Sequence, residues 1–185
     1  TETLVELILN EHKEKNISLL DVCTGSGCIA VSLAKLGGYA DVTALDLSEE
    51  ALKVAKSNGE KLLDHPVKFI KSDMFSALDP ENRYDVIVSN PPYIPSQVIE
   101  GLEPEVKDHE PRMALDGEPD GLKFYRILAE EGKKYLKNGG SIYMEIGWDQ
   151  AKDVTEIFEA MGFSGLRTVR DMAGNDRVVC ARKEK

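Results

Sequence analysis

Strand-length apolar runs alternate with helical stripes through most of this chain, and that alternation narrows the fold more than any other feature. Leu4, Val5 and Ile8 mark one face of an opening helix. Residues 17–22 form an apolar run ending at a glycine-rich turn, and residues 28–36 read as a helix stopped by Gly37-Gly38. Residues 41–45 are a second strand. Ser48 is placed to cap the next helix, with Glu49 and Glu50 favourable against its dipole. That helix is expected to turn Ala51, Leu52, Ala55 and Leu62 inward. Residues 67–70 and 84–89 are the third and fourth strands. Phe124, Ile127, Leu128 and Tyr135 give a helical stripe, with Lys133, Lys134 and Lys137 as a solvated face in its last turns. Asn138-Gly139-Gly140 is read as its stop, and residues 141–146 as the fifth strand. Val154, Ile157, Phe158 and Met161 mark another helix. Residues 166–169 and 177–181 are strand-like with only a short turn between them, so they should pair antiparallel. The expectation is an α/β fold, a doubly wound and mostly parallel sheet with helices on both faces and an antiparallel hairpin at one edge.

A chain of 185 residues suits one domain, residues 1–185. The net charge of −10 argues against a nucleic-acid partner, because phosphates need cations to neutralise them. No apolar run approaches the ~20 residues that span a bilayer, and no signal-peptide pattern opens the chain, so no membrane and a cytoplasmic setting are expected. The three cysteines lack paired spacing, which argues against a disulfide framework or a metal site. The first residue is Thr1 rather than Met, inside the opening helical pattern, so the chain is expected to begin within an element of a longer protein. His12 and His109 read as ordinary surface histidines.

The glycine turn is the first chemical signal. Gly25, Gly27 and Ala30 fit a relaxed G-x-G-x-x-A fingerprint between a strand and a helix. Asp46 ends the second strand about 20 residues on, where a carboxylate can take both hydroxyls of a ribose. Asp73 closes the third strand, followed by Met74 and Phe75, which could flank an adenine ring. Acids closing successive strands at one sheet edge point to an adenosine-containing ligand. A nicotinamide dinucleotide would place its pyrophosphate on the turn. S-adenosylmethionine would place its methionine and ribose there, with Asp21 favouring the ammonium. The turn alone does not choose between them.

The fourth strand chooses. It runs into Asn90-Pro91-Pro92-Tyr93. Each proline forces the residue before it to be extended, and neither has an N–H. The turn is stiff, and the Pro91 carbonyl can face the cleft beside the Asn90 side-chain oxygen. Tyr93 adds a flat ring. Two acceptors and a ring suit a planar amino group with two N–H donors. Accepting both hydrogens holds that group and returns electron density to its nitrogen, for attack on a sulfonium methyl. Hydride transfer has no use for such a pair, so S-adenosylmethionine is preferred. Residues 94–121 break the rhythm, and a connector longer than about 12–15 residues is usually functional or disordered.

These motifs resemble the peptide chain release factor N5-glutamine methyltransferases. The resemblance covers nearly the whole chain. It includes the opening Thr1-Glu2-Thr3, the segment from Asp21 to Gly27, Asp46-Leu47-Ser48, and the run from Ser89 to Pro95. It continues through His109-Glu110-Pro111-Arg112, Asp120-Gly121-Leu122, Glu145-Ile146-Gly147 with Gln150, and the tail from Asp171 to Val179. It implies a Rossmann-like, seven-stranded class I S-adenosylmethionine-dependent methyltransferase fold. It implies methylation of the glutamine amide in the GGQ loop of class 1 release factors, with S-adenosyl-L-homocysteine as product and a monomeric enzyme. Asn90 and the Pro91 carbonyl would hold the amide, with Pro92 and Tyr93 beside it. Asp21, Thr24, Gly25, Ser26 and Gly27 would line the methionine end, Asp46 and Leu47 the ribose, and Asp73, Met74 and Phe75 the adenine. Glu110, Pro111 and Arg112 would wall the glutamine channel. Against the family, a helical N-terminal substrate-docking domain is expected to be missing from this chain, and Cys23 stands where glycine is common. The asparagine-proline-proline-tyrosine element is shared with adenine and cytosine amino-methyltransferases, so methylation of a nucleobase amine is the alternative.

Overall fold

A computed structural model describes residues 1–101 and 111–184. It contains a seven-stranded sheet in the order β3-β2-β1-β4-β5-β7-β6. The strands are β1 Ser18–Val22, β2 Asp41–Asp46, β3 Lys68–Lys71, β4 Tyr84–Ser89, β5 Leu136–Glu145, β6 Ser164–Arg170 and β7 Asp176–Arg182. Strands β1 to β5 pair in parallel, while β7 runs antiparallel to both β5 and β6. The C-terminal hairpin therefore forms one edge as expected, but its last strand folds back inside. Strand β7 lies between β5 and β6, and β6 is outermost.

The helices cover both faces. Helices α1 Glu2–Glu11, α2 Cys28–Gly37 and α3 Glu49–Leu62 belong to the first half of the chain. The second half contributes the single turns α4 Ser96–Ile99 and α5 Arg112–Leu115, then α6 Lys123–Glu130, α7 Gly132–Tyr135 and α8 Ala151–Ala160. Successive strand residues point to opposite faces. Leu20, Val22, Ile87, Ile142 and Met144 pack with Tyr125, Leu128, Val154 and Phe158 from α6 and α8. Leu19, Val42, Ala44, Val86 and Val88 pack with Leu4, Ile8, Ile29 and Leu33 from α1 and α2. Each such aliphatic side chain contributes about 1.5–3 kcal/mol when buried, so both faces hold the sheet rigid beneath its edge.

Local chemistry sets the element ends. Ser48 caps α3 by accepting from the Ala51 amide at 3.2 Å, as its sequence position predicts. Leu52, Ala55 and Gly59 form the buried face of α3, whereas Leu62, expected inward, is 54% exposed because the helix ends there at the surface. Strand β5 begins at Leu136, earlier than the expected residue 141. Asn138-Gly139-Gly140 does not stop a helix but makes a bulge, with Gly139 at φ +78° and the pairing with β4 stepping from Tyr84↔Leu136 to Val86↔Ser141. His12 is not a free surface histidine. Its Nε2–H donates to the Tyr143 hydroxyl at 2.9 Å, because that hydroxyl gives its own proton to Glu11 at 2.8 Å. This network fastens α1 to β5.

The strand order reverses between β1 and β4. Ligands of open α/β sheets bind at such a switch point, outside the carboxyl ends of the strands. Val22 pairs with Ser89, and the Ser89 hydroxyl donates to the Val22 carbonyl at 2.7 Å. The glycine turn and Asn90 thus leave adjacent strands side by side.

Candidate active site

A cleft of about 390 Å³ lies at this edge. Its floor is the turn from β1 to α2. The buried Asp21 carboxylate holds that turn from below: its Oδ2 accepts from the Thr24 hydroxyl at 2.6 Å and the Ala30 amide at 3.1 Å. Its Oδ1 is buried without a partner. Burial pushes the Asp21 carboxyl up to about 7, against the pull of those two donors. Asp46 holds the turn from the side, accepting from the Gly25 amide at 2.7 Å and the Ser48 amide at 2.9 Å.

The two glycines do different things. Gly25 has φ +57°, and a Cβ there would meet nothing within 4 Å, so its absent side chain opens the floor to a ligand. Gly27 has φ +78°, and a Cβ there would lie 2.9 Å from Ala55 Cβ. It lets α2 start against α3 and does not line the cleft. Asp21 likewise lies beneath the cleft rather than in its wall, whereas Thr24, Gly25 and Ser26 line it.

Asp46, Leu47, Asp73 and Met74 line the acidic side. Phe75, expected beside an adenine, is not there. It is 1% exposed and stacks on Tyr135 with ring centres 5.2 Å apart. The left-handed Met74, at φ +47°, turns the chain so that successive side chains diverge, Met74 to the cleft and Phe75 to the core. Cys23 carries φ +61°, a conformation that favours glycine, which explains glycine as the residue the resemblance leads one to expect there. Burial and the carboxylates Asp46, Asp21 and Asp73 push the Cys23 thiol up, and burial with Asp21 does the same to Cys28.

Asn90 and Pro92 line the opposite side. The Asn90 amide nitrogen donates to the Thr1 hydroxyl at 3.4 Å. Pro91 is buried, and Tyr93 is half-buried against the core rather than in the cleft wall. Arg112 points away, its guanidinium paired with Glu100 at 3.0 Å and Asp116 at 3.2 Å. Glu110 and His109 lie outside the described residues. Its neighbours Pro111, Met113 and Ala114, together with Phe124, form the wall beside Asn90. Of this wall the sequence leads one to expect Pro111 but not Met113, Ala114 or Phe124, although Phe124 is the half-buried end of the α6 stripe.

These residues fit an S-adenosylmethionine-type ligand on three observations. Gly25 leaves open the space a Cβ would fill, the Asp46 carboxylate faces the cleft, and the unpartnered Asp21 Oδ1 beneath the floor favours a nearby cation.

Residues 13–176 match the family of methyltransferase domains. A release factor glutamine methyltransferase from Fusobacterium nucleatum is 44% identical, over 99% of this chain and 52% of that protein. One from Thermodesulfovibrio yellowstonii is 42% identical, over 100% of this chain and 67% of that protein. The chain therefore spans between about half and two thirds of the length of these relatives. Among solved structures, the release factor-specific protein-(glutamine-N5) methyltransferase from Alicyclobacillus acidocaldarius is 30% identical with a TM-score of 0.59, covering 100% of this chain and 91% of that one. A methyltransferase from Pyrococcus furiosus, 22% identical with a TM-score of 0.72 over 97% of this chain and 81% of its own, shares the fold. The motifs, the sheet order and these similarities agree, and the chain belongs to the release factor glutamine methyltransferase family.

Proposed function

We propose that this chain methylates the side-chain amide nitrogen of the GGQ glutamine in a class 1 peptide chain release factor, acting as a cytoplasmic monomer. The observation that carries the reading is the placement of Asn90 and Pro91 one strand from the open glycine turn, through the Val22↔Ser89 pair. S-adenosylmethionine, when bound, would supply an electrophilic sulfonium methyl; as the N–CH3 bond forms the S–CH3 bond breaks, S-adenosyl-L-homocysteine is released, and the displaced amide proton passes to bulk water. Gly25 would give it backbone room, Asp46 would accept from its ribose, and Asp73 with Leu47 and Met74 would border its base. The Asn90 side-chain oxygen and the Pro91 carbonyl accept the two hydrogens of the glutamine amide. That grip aims the nitrogen and counters the delocalisation of its lone pair. Phe124 and Met113 border that approach with apolar surface. Such positioning can supply up to ~7–11 kcal/mol of the barrier.

The test offers the chain labelled S-adenosylmethionine with a release factor, with the same factor carrying alanine for the GGQ glutamine, and with DNA and RNA. Mass spectrometry then locates the label. Label on that glutamine, absent from the alanine form, supports the reading. Label on a nucleobase amine, or none on the intact factor, overturns it for this chain.

A further inference from the structure

Asn90 and the Pro91 carbonyl can act together only if the turn that carries them is held still. A buried side chain outside the cleft holds it. Gln150, 7% exposed, is the N-cap residue of α8, with its own amide bonded to the Gly147 carbonyl at 3.0 Å. Its Oε1 accepts from the Gly147 amide at 2.9 Å. Its Nε2 donates to the Tyr93 carbonyl at 3.0 Å and the Gly121 carbonyl at 3.3 Å. One N–H and two carbonyls surround the group, so its amide can stand only one way round. Three loops meet on this side chain: the exit of β4, the segment before α6 and the exit of β5.

The approach is close. Gly121 has φ +72°, and a Cβ there would lie 2.4 Å from the Tyr93 carbonyl oxygen and 2.8 Å from Gln150 Nε2. A Cβ at Gly117 would lie 2.8 Å from Tyr93 Cα. Beyond Tyr93 the two segments are zipped, with the Ile94 amide donating to the Leu115 carbonyl at 3.0 Å and the Gly117 amide to the Ile94 carbonyl at 2.9 Å. Between Tyr93 and Asn90 stand only Pro91 and Pro92, whose fixed φ angles leave little room to absorb a shift.

We infer that Gln150 is a positioning residue for methyl transfer, clamping the Tyr93 carbonyl and so setting where the Pro91 carbonyl and the Asn90 side chain stand. The same clamp ties the substrate-side wall, α5 and its flanks, to the strand exit. The role in transfer rests on the proposed function. The clamp itself does not, and the test separates them.

Gln150→Ala removes all three contacts. Gln150→Glu keeps the shape and the Gly147 contact but turns an acceptor toward two carbonyls. In both variants, hydrogen exchange at the Ile94 and Gly117 amides rises, read by NMR or mass spectrometry without any substrate. Turnover on the release factor falls on the order of 10²-fold, the effect of about 1 Å of misplacement, while S-adenosylhomocysteine affinity stays within about threefold. Gln150→Glu regains turnover relative to the unaltered chain as pH falls from about 8 to about 6, because a buried carboxyl takes up a proton there and becomes a donor. A merely structural role gives a lower melting temperature with no such recovery. Unchanged exchange overturns the clamp whatever the activity. Raised exchange with turnover within about twofold of the unaltered chain overturns the positioning role. An unaltered chain that binds cofactor but leaves the release factor unlabelled overturns the proposed function instead, while exchange still decides the clamp.

Discussion

The two glycines of the β1–α2 turn should fail differently when given the same methyl group. Gly25→Ala costs the left-handed backbone penalty of about 1–2 kcal/mol and no clash, since no atom lies within 4 Å of the new Cβ. For a chain of this size, about 2–4 °C of melting temperature follows each kcal/mol, so the variant should melt about 2–8 °C lower. Its methyl group instead occupies the cleft floor. Overpacking a close contact costs about 1–3 kcal/mol, which corresponds to roughly 5- to 150-fold weaker cofactor binding. Gly27→Ala carries the same backbone penalty, and its Cβ also lies 2.9 Å from Ala55 Cβ and 3.2 Å from Ala55 Cα, where backbone cannot yield easily. That adds about 1–3 kcal/mol, for a total near 2–5 kcal/mol and a fall of about 4–20 °C. The folded Gly27→Ala chain should bind cofactor more nearly normally. Urea unfolding followed by circular dichroism gives the stabilities, and calorimetric titration with S-adenosylhomocysteine gives the affinities. A Gly25→Ala chain that binds like the unaltered one would refute the assignment of this turn as the cofactor cradle. Equal stabilities would refute the packing role of Gly27.

Asp46→Ala removes the acceptor of the Gly25 and Ser48 amides, so cofactor affinity should weaken and stability fall by about 1–3 kcal/mol; unchanged affinity by calorimetry removes Asp46 from the site. Asp21 should make stability fall as pH rises. Its folded value of about 7 lies above the ordinary 3.8, so the folded state holds the proton more tightly. The contribution is whole below about pH 4 and is lost as pH rises through about 7. Asp21→Asn should flatten the pH dependence of urea stability in that window, and an unchanged slope would count against the burial argument. Ser48→Ala should cost about 0.5–2 kcal/mol by uncapping α3, read from the same urea curves.

The alternation of runs and stripes made the sheet legible because the inner strands β1, β2, β4, β5 and β7 carry buried runs and the longer helices bury one face. The carboxyl-edge site followed, since Asp46 ends β2 and Asp73 and Asn90 lie just past the ends of β3 and β4. What stayed hidden depended on direction or on distant partners. Whether Phe75 faced cleft or core turned on the left-handed Met74, which no pattern announces. Glycines at 139 and 140 read equally as a helix stop or a bulge, and pairing with β4 and Lys183 decided for the bulge. That β7 lies inside β6 is a matter of which neighbour covers the β5 edge. Met113 and Ala114 reach the cleft only because residues 94–96 and 115–118 pair across a segment without periodicity.

The central claim is that the acceptors at the exit of β4 act on the amide being methylated. Its most direct test is the single-turnover methyl-transfer rate of Asn90→Ala on the release factor, beside the dissociation constant for S-adenosylhomocysteine. Losing one preorganised polar group should cut the rate by roughly 10²–10³-fold and leave cofactor affinity nearly intact. A rate close to that of the unaltered chain would contradict the claim, because the amide would then be held by something other than Asn90.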